Sequence, residues 1–214
     1  MPTASGNTDS QPMATRAAAR LILASQSASR QMLLRRAGVT FEALPADLDE
    51  RAIEQSSSLV EAPQIAALLA REKAKHVGRA HPEAYVIGAD QTLGLGIRIF
   101  AKAGSLDEAR SQLKSMCGQT HELHSAVAVV KNESILFETI SSARMTVRAL
   151  TDDQIDAYLD LVGDAVMASV GGYQLEGAGV HLFEKIEGDY FTILGLPLLP
   201  LLGFLRGHGL APLA

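Results

Sequence analysis

The strongest constraint on the fold is an apolar run that ends abruptly in small hydroxylated residues. Residues 21–24 are apolar, residues 25–29 read SQSAS, and Arg30 follows. An amphipathic segment over residues 31–37 comes next. This order predicts a buried strand, a tight polar loop and the N-terminus of a helix. Because such a loop offers backbone N–H groups, hydroxyls and a helix dipole, it is a candidate site for a phosphate.

The composition excludes several classes of protein. Of the 214 residues, 47% are hydrophobic and 20% are charged, which suits one large domain or two lobes around a shared cleft. The formal net charge of −5 argues against nucleic acid as a partner, so any phosphate must be bound locally by a few cations or a metal. The single cysteine, Cys117, excludes an internal disulfide and fits a reducing, cytoplasmic location.

The two ends of the chain suggest neither a signal peptide nor a membrane anchor. Residues 1–20 are rich in small polar residues and lack an apolar core, so we expect a disordered extension ahead of one domain over residues 21–214. The most apolar stretch, Ile193–Leu205, is too short to span a bilayer and is interrupted at Pro197, Pro200 and Gly203. We therefore expect a buried terminal helix there.

An acidic loop and a helix with a lysine on its apolar face follow the first helix. The loop over residues 45–51 carries three carboxylates in four residues, which indicates either a solvated surface or a site for Mg²⁺ or Mn²⁺. The helix predicted over Pro63–Val77 places Lys73 on the same face as Leu69. Lys73 either extends past the edge of the core or meets a carboxylate or phosphate in a cleft.

Asp90 ends the clearest strand after the first, residues 84–90. Ligands of α/β proteins bind outside the carboxyl ends of strands, so Asp90 is either placed for chemistry or is a helix-capping or loop residue. A hairpin is predicted over residues 91–100, and Lys102 follows it. A lone lysine in that place is usually solvated.

The second half of the chain predicts further strands and helices. Capping boxes at Ser105 and Thr151 indicate two helix starts. Separate strands are predicted over residues 123–130, 134–139 and 143–150. The dense glycines of residues 171–179 allow the backbone to approach another group closely, although the stretch is not a P-loop.

Taken in order, the motifs resemble those of the Maf family of nucleoside triphosphate pyrophosphatases, from about Leu21 to Arg206. No single motif is specific, but their order over almost the whole chain is. The matching segments are LAS at 23–25 with Ser27 and Arg30, Phe41-Glu42, Asp49-Glu50, Lys73-Ala74, IGAD at 87–90, GQTH at 118–121, GGY at 171–173, Glu176-Gly177, GDY at 188–190 and GLPL at 195–198.

The resemblance implies a mixed α/β fold in which two lobes flank a central elongated sheet and a cleft between them. It also implies a homodimer that cleaves nucleotides between the α- and β-phosphates with the help of a divalent metal cation, in the house-cleaning of non-standard nucleotides. By the same resemblance, Asp90 is the proton acceptor, Glu50 is the metal-linked glutamate, and Lys73 and Lys102 are catalytic. The chemistry of the two carboxylates would let Asp90 and Glu50 hold the metal together. The residues expected to bind substrate are Ser25, Ser27, Arg30 and Thr120.

Three positions that differ between subfamilies bear on the nucleobase. Members that act on dTTP and UTP commonly have arginine, threonine and glutamine there, and members that act on 7-methyl-GTP have tryptophan, glutamine and glutamate. This chain has Ser29, Gln91 and Glu176. It therefore matches the 7-methyl-GTP group at two positions and neither group at the first. The chain also departs from the family by lacking the prolines of Ser-Pro-x-Arg, at Ala28, and of Gly-Lys-Pro, at Ala103.

The glutamate has a physical rationale. Guanine presents N1–H and N2–H₂ as adjacent donors, which one carboxylate accepts together, whereas uracil and thymine present two carbonyl oxygens. We therefore expect a guanine-type base, including 7-methylguanine. The alternatives are a dTTP/UTP pyrophosphatase of the same family and a non-catalytic nucleotide-binding regulator of cell division.

Overall fold

The structure, a computed structural model, describes residues 19–213 as helices packed on one mixed sheet. The strands are β1 (Leu21–Leu23), β2 (Glu42–Ala43), β3 (Tyr85–Leu95), β4 (Arg98–Phe100), β5 (Thr120–Lys131), β6 (Ser134–Val147) and β7 (Phe183–Glu187). The helices are α1 (Ala28–Arg36), α2 (Glu50–Ser56), α3 (Ala62–Ala80), α4 (Leu106–Met116), α5 (Asp152–Val162), α6 (Tyr190–Ile193) and α7 (Leu198–Gly207). Short 3₁₀ helices cover Gly163–Ala168 and Ala178–Leu182.

The predicted fold class, α/β with an elongated mixed sheet, is confirmed. The strand order is β2-β1-β3-β5-β6-β7, and β4 pairs with β3. The pairs β1–β2 and β1–β3 are parallel, and the remaining pairs are antiparallel. At 14 residues, β6 spans roughly 45 Å at the usual rise per residue of a strand.

Three predictions of local structure are wrong. Asp90 does not end a strand, because β3 continues through it from Tyr85 to Leu95. The strands expected over residues 134–139 and 143–150 are one strand, β6, because residues 140–142 continue the pairing with β5. At the start of α4, Ser105 accepts from the backbone N–H of Glu108, but the Glu108 carboxylate accepts from Gly104 N, so the capping box is not reciprocal. The box at Thr151 is confirmed.

Both ends of the described chain are attached to the rest of the fold. The expected disorder of residues 1–18 lies outside the described residues. Arg20 is joined to the sheet, since its carbonyl accepts from Tyr85 N at 2.9 Å and its guanidinium bonds to Glu42 at 2.6 Å. The predicted terminal helix is confirmed as α7, which buries Leu198, Leu201 and Leu205. None of the helices within residues 19–213 is long and apolar enough to cross a membrane.

Each face of the sheet has its own hydrophobic core. The larger core gathers side chains from α1, α4, α5 and α7. On the other face, α3 packs small side chains against the sheet: Ala66, Ala70, Ala74 and Val77 meet Val86, Ala126, Ala128 and Val130. These short side chains let the axis of α3 approach β3 closely. At the point of contact, Gly88 has no side chain that would keep the two backbones apart.

The sheet leaves an opening on one edge of β3. Along that edge β1 pairs with Tyr85–Ile87 and β4 pairs with Leu93–Leu95, while β5 pairs with the opposite edge over residues 86–94. Residues 88–92 therefore have no neighbouring strand on the first side. We call this opening the edge gap, and the loops after β1 and β4 both leave their strands beside it.

We predict that Gly88→Ala destabilises the protein through backbone contact. A Cβ there would lie 2.1 Å from the carbonyl oxygen of Ala70 and 2.5 Å from the nitrogen of Ala74, so α3 must move. We expect the free energy of unfolding, measured in urea, to fall by about 2–3 kcal/mol. Gly94→Ala is the control, because its Cβ would meet Ala62 Cβ at 3.5 Å and His124 Nε2 at 3.9 Å, both ordinary van der Waals distances. Equal losses in both variants would contradict the close contact at Gly88.

Candidate active site

The loop after β1 turns into the edge gap and starts α1. The predicted strand, loop and helix are confirmed, although α1 begins at Ala28 rather than at residue 31. Ala24 N donates to the Ile87 carbonyl at 2.7 Å, which continues the pairing of β1 with β3. Ser25 Oγ accepts from Ser27 N at 3.2 Å, and Ser27 Oγ caps the helix by accepting from the next turn. The two serines thus fix the turn of this loop.

Arg30 is held across the edge gap by protein acceptors. Its Nη1 donates to the Ala89 carbonyl at 2.9 Å and to Ser25 Oγ at 3.3 Å, and its Nε donates to the Gly195 carbonyl at 2.8 Å. Burial lowers the pKa of Arg30, against the opposing effect of the Asp90 and Glu50 carboxylates. Its Nη2 has no hydrogen bond to any residue between 19 and 213, so one terminal nitrogen is available to an anion.

A buried lysine joins two carboxylates on the α3 side of the sheet. Lys73 Nζ lies 2.6 Å from Asp90 Oδ1 and 2.9 Å from Glu50 Oε1. Lys73 is 9% exposed and Asp90 is 7% exposed. Burial raises the pKa of Asp90 and outweighs the lowering by Lys73 and Arg30, while Glu50 raises it further. The proximity of α3 to β3 brings Lys73 to these two side chains, so the lysine meets a carboxylate, as the second of its two alternatives predicts.

The acidic loop contributes one of its three carboxylates to this cluster. Asp49 instead caps α2, with its carboxylate accepting from Ala52 N at 3.0 Å, and Asp47 is exposed. Glu50 is the first residue of α2 and turns toward Lys73. The acidic loop thus supplies a helix cap at Asp49 and a partner for Lys73 at Glu50.

Glu54 is a nearby acid that the sequence analysis missed. Its pKa is raised by burial and by the negative charges of Asp90 and Glu50. It lies on α2, one helical turn after Glu50, and therefore on the same face of the helix. The four-residue spacing was a usable signal, but no helix had been predicted over that segment.

Two of the three predicted base-selective residues are in contact, and the third lies elsewhere. Ser29 Oγ donates to Glu176 Oε1 at 3.1 Å, so these two residues are in direct contact. Gln91 lies next to Asp90 in β3 and therefore points to the opposite face of the sheet. Its Nε2 donates to Ser125 Oγ at 3.0 Å and to the carbonyls of Thr192 and Ile193. Ser125 was not predicted, because its relation to Gln91 depends on strand register.

The structure does not bring Lys102 and Thr120 into the cluster. Lys102 is exposed, two residues beyond β4, and makes no ion pair with another residue of the described chain. Thr120 Oγ1 lies 2.9 Å from Thr146 Oγ1 at the start of β5. Asp90 is paired with Ala126, so six residues of β5, or roughly 20 Å, separate it from Thr120 along the sheet. The roles of both residues stay predictions.

Metal ligands are limited in number at this site. Within residues 19–213, no group of three or more His, Cys, Asp and Glu side chains is arranged to hold a metal ion. Glu50 and Asp90 supply two carboxylates that converge on the single nitrogen of Lys73.

Comparison with known proteins decides the family. A family described as Maf-like protein matches residues 20–208. The chain belongs to the Maf family. The resemblance deduced from the motifs is therefore confirmed.

Curated relatives of this Maf protein cover most of its length. Nucleoside triphosphate pyrophosphatases of Rhodopseudomonas palustris (strain HaA2) and Bradyrhizobium diazoefficiens are each 58% identical over 190 residues, 89% of this chain and 94% of those proteins. A 7-methyl-GTP pyrophosphatase of Rhizobium etli is 50% identical over 192 residues, 89% of this chain and 96% of that protein.

We predict that Lys73→Met destabilises the protein in a pH-dependent way. Without Lys73, no neighbouring ammonium offsets the effect of burial on Asp90. The pKa of Asp90 therefore rises further above its value in the unfolded chain. A carboxyl whose pKa is higher in the folded than in the unfolded protein stabilises the fold at low pH, where it is protonated. That stabilisation is lost as the pH rises through the folded-state pKa. We expect a loss in the free energy of unfolding of about 3–5 kcal/mol at pH 8 and a smaller loss at pH 5.

Lys75→Met is the matched control for that experiment. Lys75 lies on the same helix. Its Nζ is 3.9 Å from Glu72 Oε1, so this partly exposed ion pair is longer than the pair of Lys73 and Asp90. Its removal should change the free energy of unfolding by less than about 1 kcal/mol at either pH. A loss for Lys73→Met that does not depend on pH would argue against a charged contact with Asp90.

Proposed function

We propose that this Maf protein hydrolyses a nucleoside triphosphate to the monophosphate and pyrophosphate. The observation that carries the proposal is the contact of one buried lysine with two carboxylates from different elements, Asp90 and Glu50, beside the loop that holds Arg30. A buried cluster of opposite charges at the open edge of a sheet is typical of a reactive site. The names of the close relatives support the same reaction.

The reaction requires a water molecule and an acceptor for its proton. The water oxygen attacks the α-phosphorus, the bond from that phosphorus to the oxygen bridging the β-phosphorus breaks, and the electron pair leaves with pyrophosphate. Asp90 takes the proton of the attacking water. Because burial raises the pKa of Asp90, its carboxylate is a better proton acceptor than an exposed aspartate. Lys73 holds that carboxylate in place.

The phosphate chain needs positive charge where the leaving group gains negative charge. Arg30 offers Nη2, and the loop of Ser25 and Ser27 offers hydroxyls and the start of α1. We propose that Lys102 joins them from the end of β4. This strand pairs Phe100 with Leu93, so the chain leaves it toward the edge gap.

The residues also fit a divalent cation, which we propose to be Mg²⁺ or Mn²⁺. Asp90 and Glu50 provide two carboxylates that already converge within hydrogen-bonding distance of one point, Lys73 Nζ. Hard cations commonly take one or two protein carboxylates and complete their coordination with phosphate oxygens and water. Such an ion would stabilise charge on the phosphates and lower the pKa of bound water.

We propose a guanine-type base, including 7-methylguanine, as the preferred substrate. Glu176 is exposed and its Oε1 is oriented by Ser29, so the carboxylate can accept from two adjacent N–H donors. A 7-methylated guanine is also cationic, which an acid favours. The relative named as a 7-methyl-GTP pyrophosphatase supports this choice.

We further propose that the protein acts in the cytoplasm as a homodimer on free nucleotides. The acidic composition disfavours nucleic acid as a partner. Hydrolysis of non-standard triphosphates would keep them out of nucleic-acid synthesis.

We predict that Asp90→Asn abolishes most of the activity. The amide cannot take the proton, so kcat should fall at least about 100-fold, the usual contribution of a general base. The assay follows pyrophosphate release from a panel of triphosphates with Mg²⁺ or Mn²⁺. Asp47→Asn, in the exposed part of the acidic loop, is the control and should retain full activity. If no triphosphate reacts, or if Asp90→Asn reacts like the wild type, the mechanism is wrong.

We predict that Glu176→Gln weakens the preference for guanine. The amide has one acceptor fewer, so kcat/KM for GTP and 7-methyl-GTP should fall roughly tenfold relative to UTP and dTTP, as expected for one charged hydrogen bond. Glu184→Gln, an exposed acid on β7, is the control. A wild type that prefers UTP or dTTP would refute the guanine assignment and leave the reaction class intact.

A further inference from the structure

A set of hydrogen bonds, which we call the clamp, joins β3 and β5 to the chain that precedes α7. It consists of the side chains of Gln91 and Ser125 and the carbonyls of Thr192 and Ile193. Gln91 Nε2 lies 3.0 Å from Ser125 Oγ, 3.1 Å from the Thr192 oxygen and 3.0 Å from the Ile193 oxygen. Ser125 Oγ donates to the same Thr192 oxygen at 2.7 Å. The donors of the Gln91 amide are therefore all directed to protein acceptors.

The fold explains why these groups meet. Gln91 and Ser125 are directly opposite in the antiparallel pair of β3 and β5, so their side chains share one face. Ser125 is fully buried and Thr192 is 1% exposed, so their polar groups depend on these bonds. Asp189 accepts from the N–H groups of Phe191 and Thr192 and thereby fixes the start of α6. The carbonyls of this short helix are then presented to the sheet.

The clamp adjoins the residue that orients Arg30. Gly195, two residues after Ile193, accepts from Arg30 Nε at 2.8 Å. Its φ of +92° suits glycine, and a Cβ there would lie 3.4 Å from Arg30 Nε and 3.6 Å from Gln91 Oε1. Gly195 thus fills the space between Gln91 and Arg30. A shift of the clamp would move the carbonyl on which the guanidinium rests.

We propose that Gln91 and Ser125 are positioning residues for Arg30, acting through Gly195, and that they tune binding of the phosphate chain. The inference rests on the proposed function, in which Arg30 contacts the phosphates. A guanidinium is a rigid planar fork, so a fixed Nε and Nη1 determine the direction of the free Nη2. The clamp should therefore affect every triphosphate alike, whatever its base.

The experiment uses a probe that has no base. The Michaelis constants of GTP and UTP and the dissociation constant of inorganic tripolyphosphate, measured by calorimetry, are compared for the wild type, Ser125→Ala and Gln91→Met. We expect each variant to raise all three constants by a similar factor, about three- to tenfold, as for the loss of one hydrogen bond or a little more. The ratio of GTP to UTP should change by less than about twofold, a difference too small for a lost base contact.

Two further variants distinguish positioning from general damage to the fold. Ser125→Thr keeps the hydroxyl and should restore tripolyphosphate binding. Ser141→Ala should have no effect, because Ser141 is opposite Ser125 in β6 and its hydroxyl makes no hydrogen bond within the described chain. Thermal unfolding identifies any variant that fails to fold. If Ser125→Ala does, Gln91→Met decides, since Gln91 is only partly buried.

The outcomes separate this inference from the proposed function. Unchanged tripolyphosphate binding in folded variants would overturn the positioning role. A changed ratio of GTP to UTP with unchanged tripolyphosphate binding would do so as well, and would make Gln91 a direct contact of the base. A wild type that binds tripolyphosphate more tightly than the clamp variants but releases no pyrophosphate would refute the proposed reaction while leaving the positioning role intact.

Discussion

The contact between Lys73 and Asp90 depends on how closely one helix can lie against one strand. An ammonium and a carboxylate that are both buried must be paired, because either alone would carry a large desolvation cost. The alanines of α3 and the missing side chain of Gly88 bring the helix backbone against β3, so the lysine reaches the aspartate at 2.6 Å. The contact between Lys73 and Asp90 therefore depends directly on the small residues that pack α3 against β3.

The charges around this pair are balanced before a substrate binds. Three carboxylates are set against three basic groups: Asp90, Glu50 and Glu54 against Lys73, Arg30 and Arg51. A triphosphate would add further negative charge, so its binding calls for positive charge from elsewhere. The proposed divalent cation and Lys102 would supply it. The raised pKa values of Asp90 and Glu54 have the same electrostatic origin, since each carboxylate is partly desolvated beside the others.

Much of the fold and part of the site could be predicted from sequence, for reasons that differ between residues. The apolar stripe of α3 identified Lys73, and the end of an apolar run identified Asp90, because both are local patterns. Their meeting could not be predicted from local patterns, since it depends on the distance between α3 and β3. Ser125 was missed because its role follows from strand register. Two strands were predicted in place of β6. The first part of β6 has few buried residues, so the alternation of buried and exposed positions is weak there.

The residues of the site lie on two kinds of structural element. Some belong to long elements anchored in the core, and others belong to a helix start and a loop. Lys73 and Asp90 belong to a 19-residue helix and an 11-residue strand that are anchored in a packed core. Ser29 and Glu176 lie at a helix start and in a loop, and their hydrogen bond involves neither of those two residues. A substitution at either position therefore leaves the ion pair untouched. Under the proposed function, such a scaffold would change the nucleobase it accepts while the proposed reacting groups stay where they are.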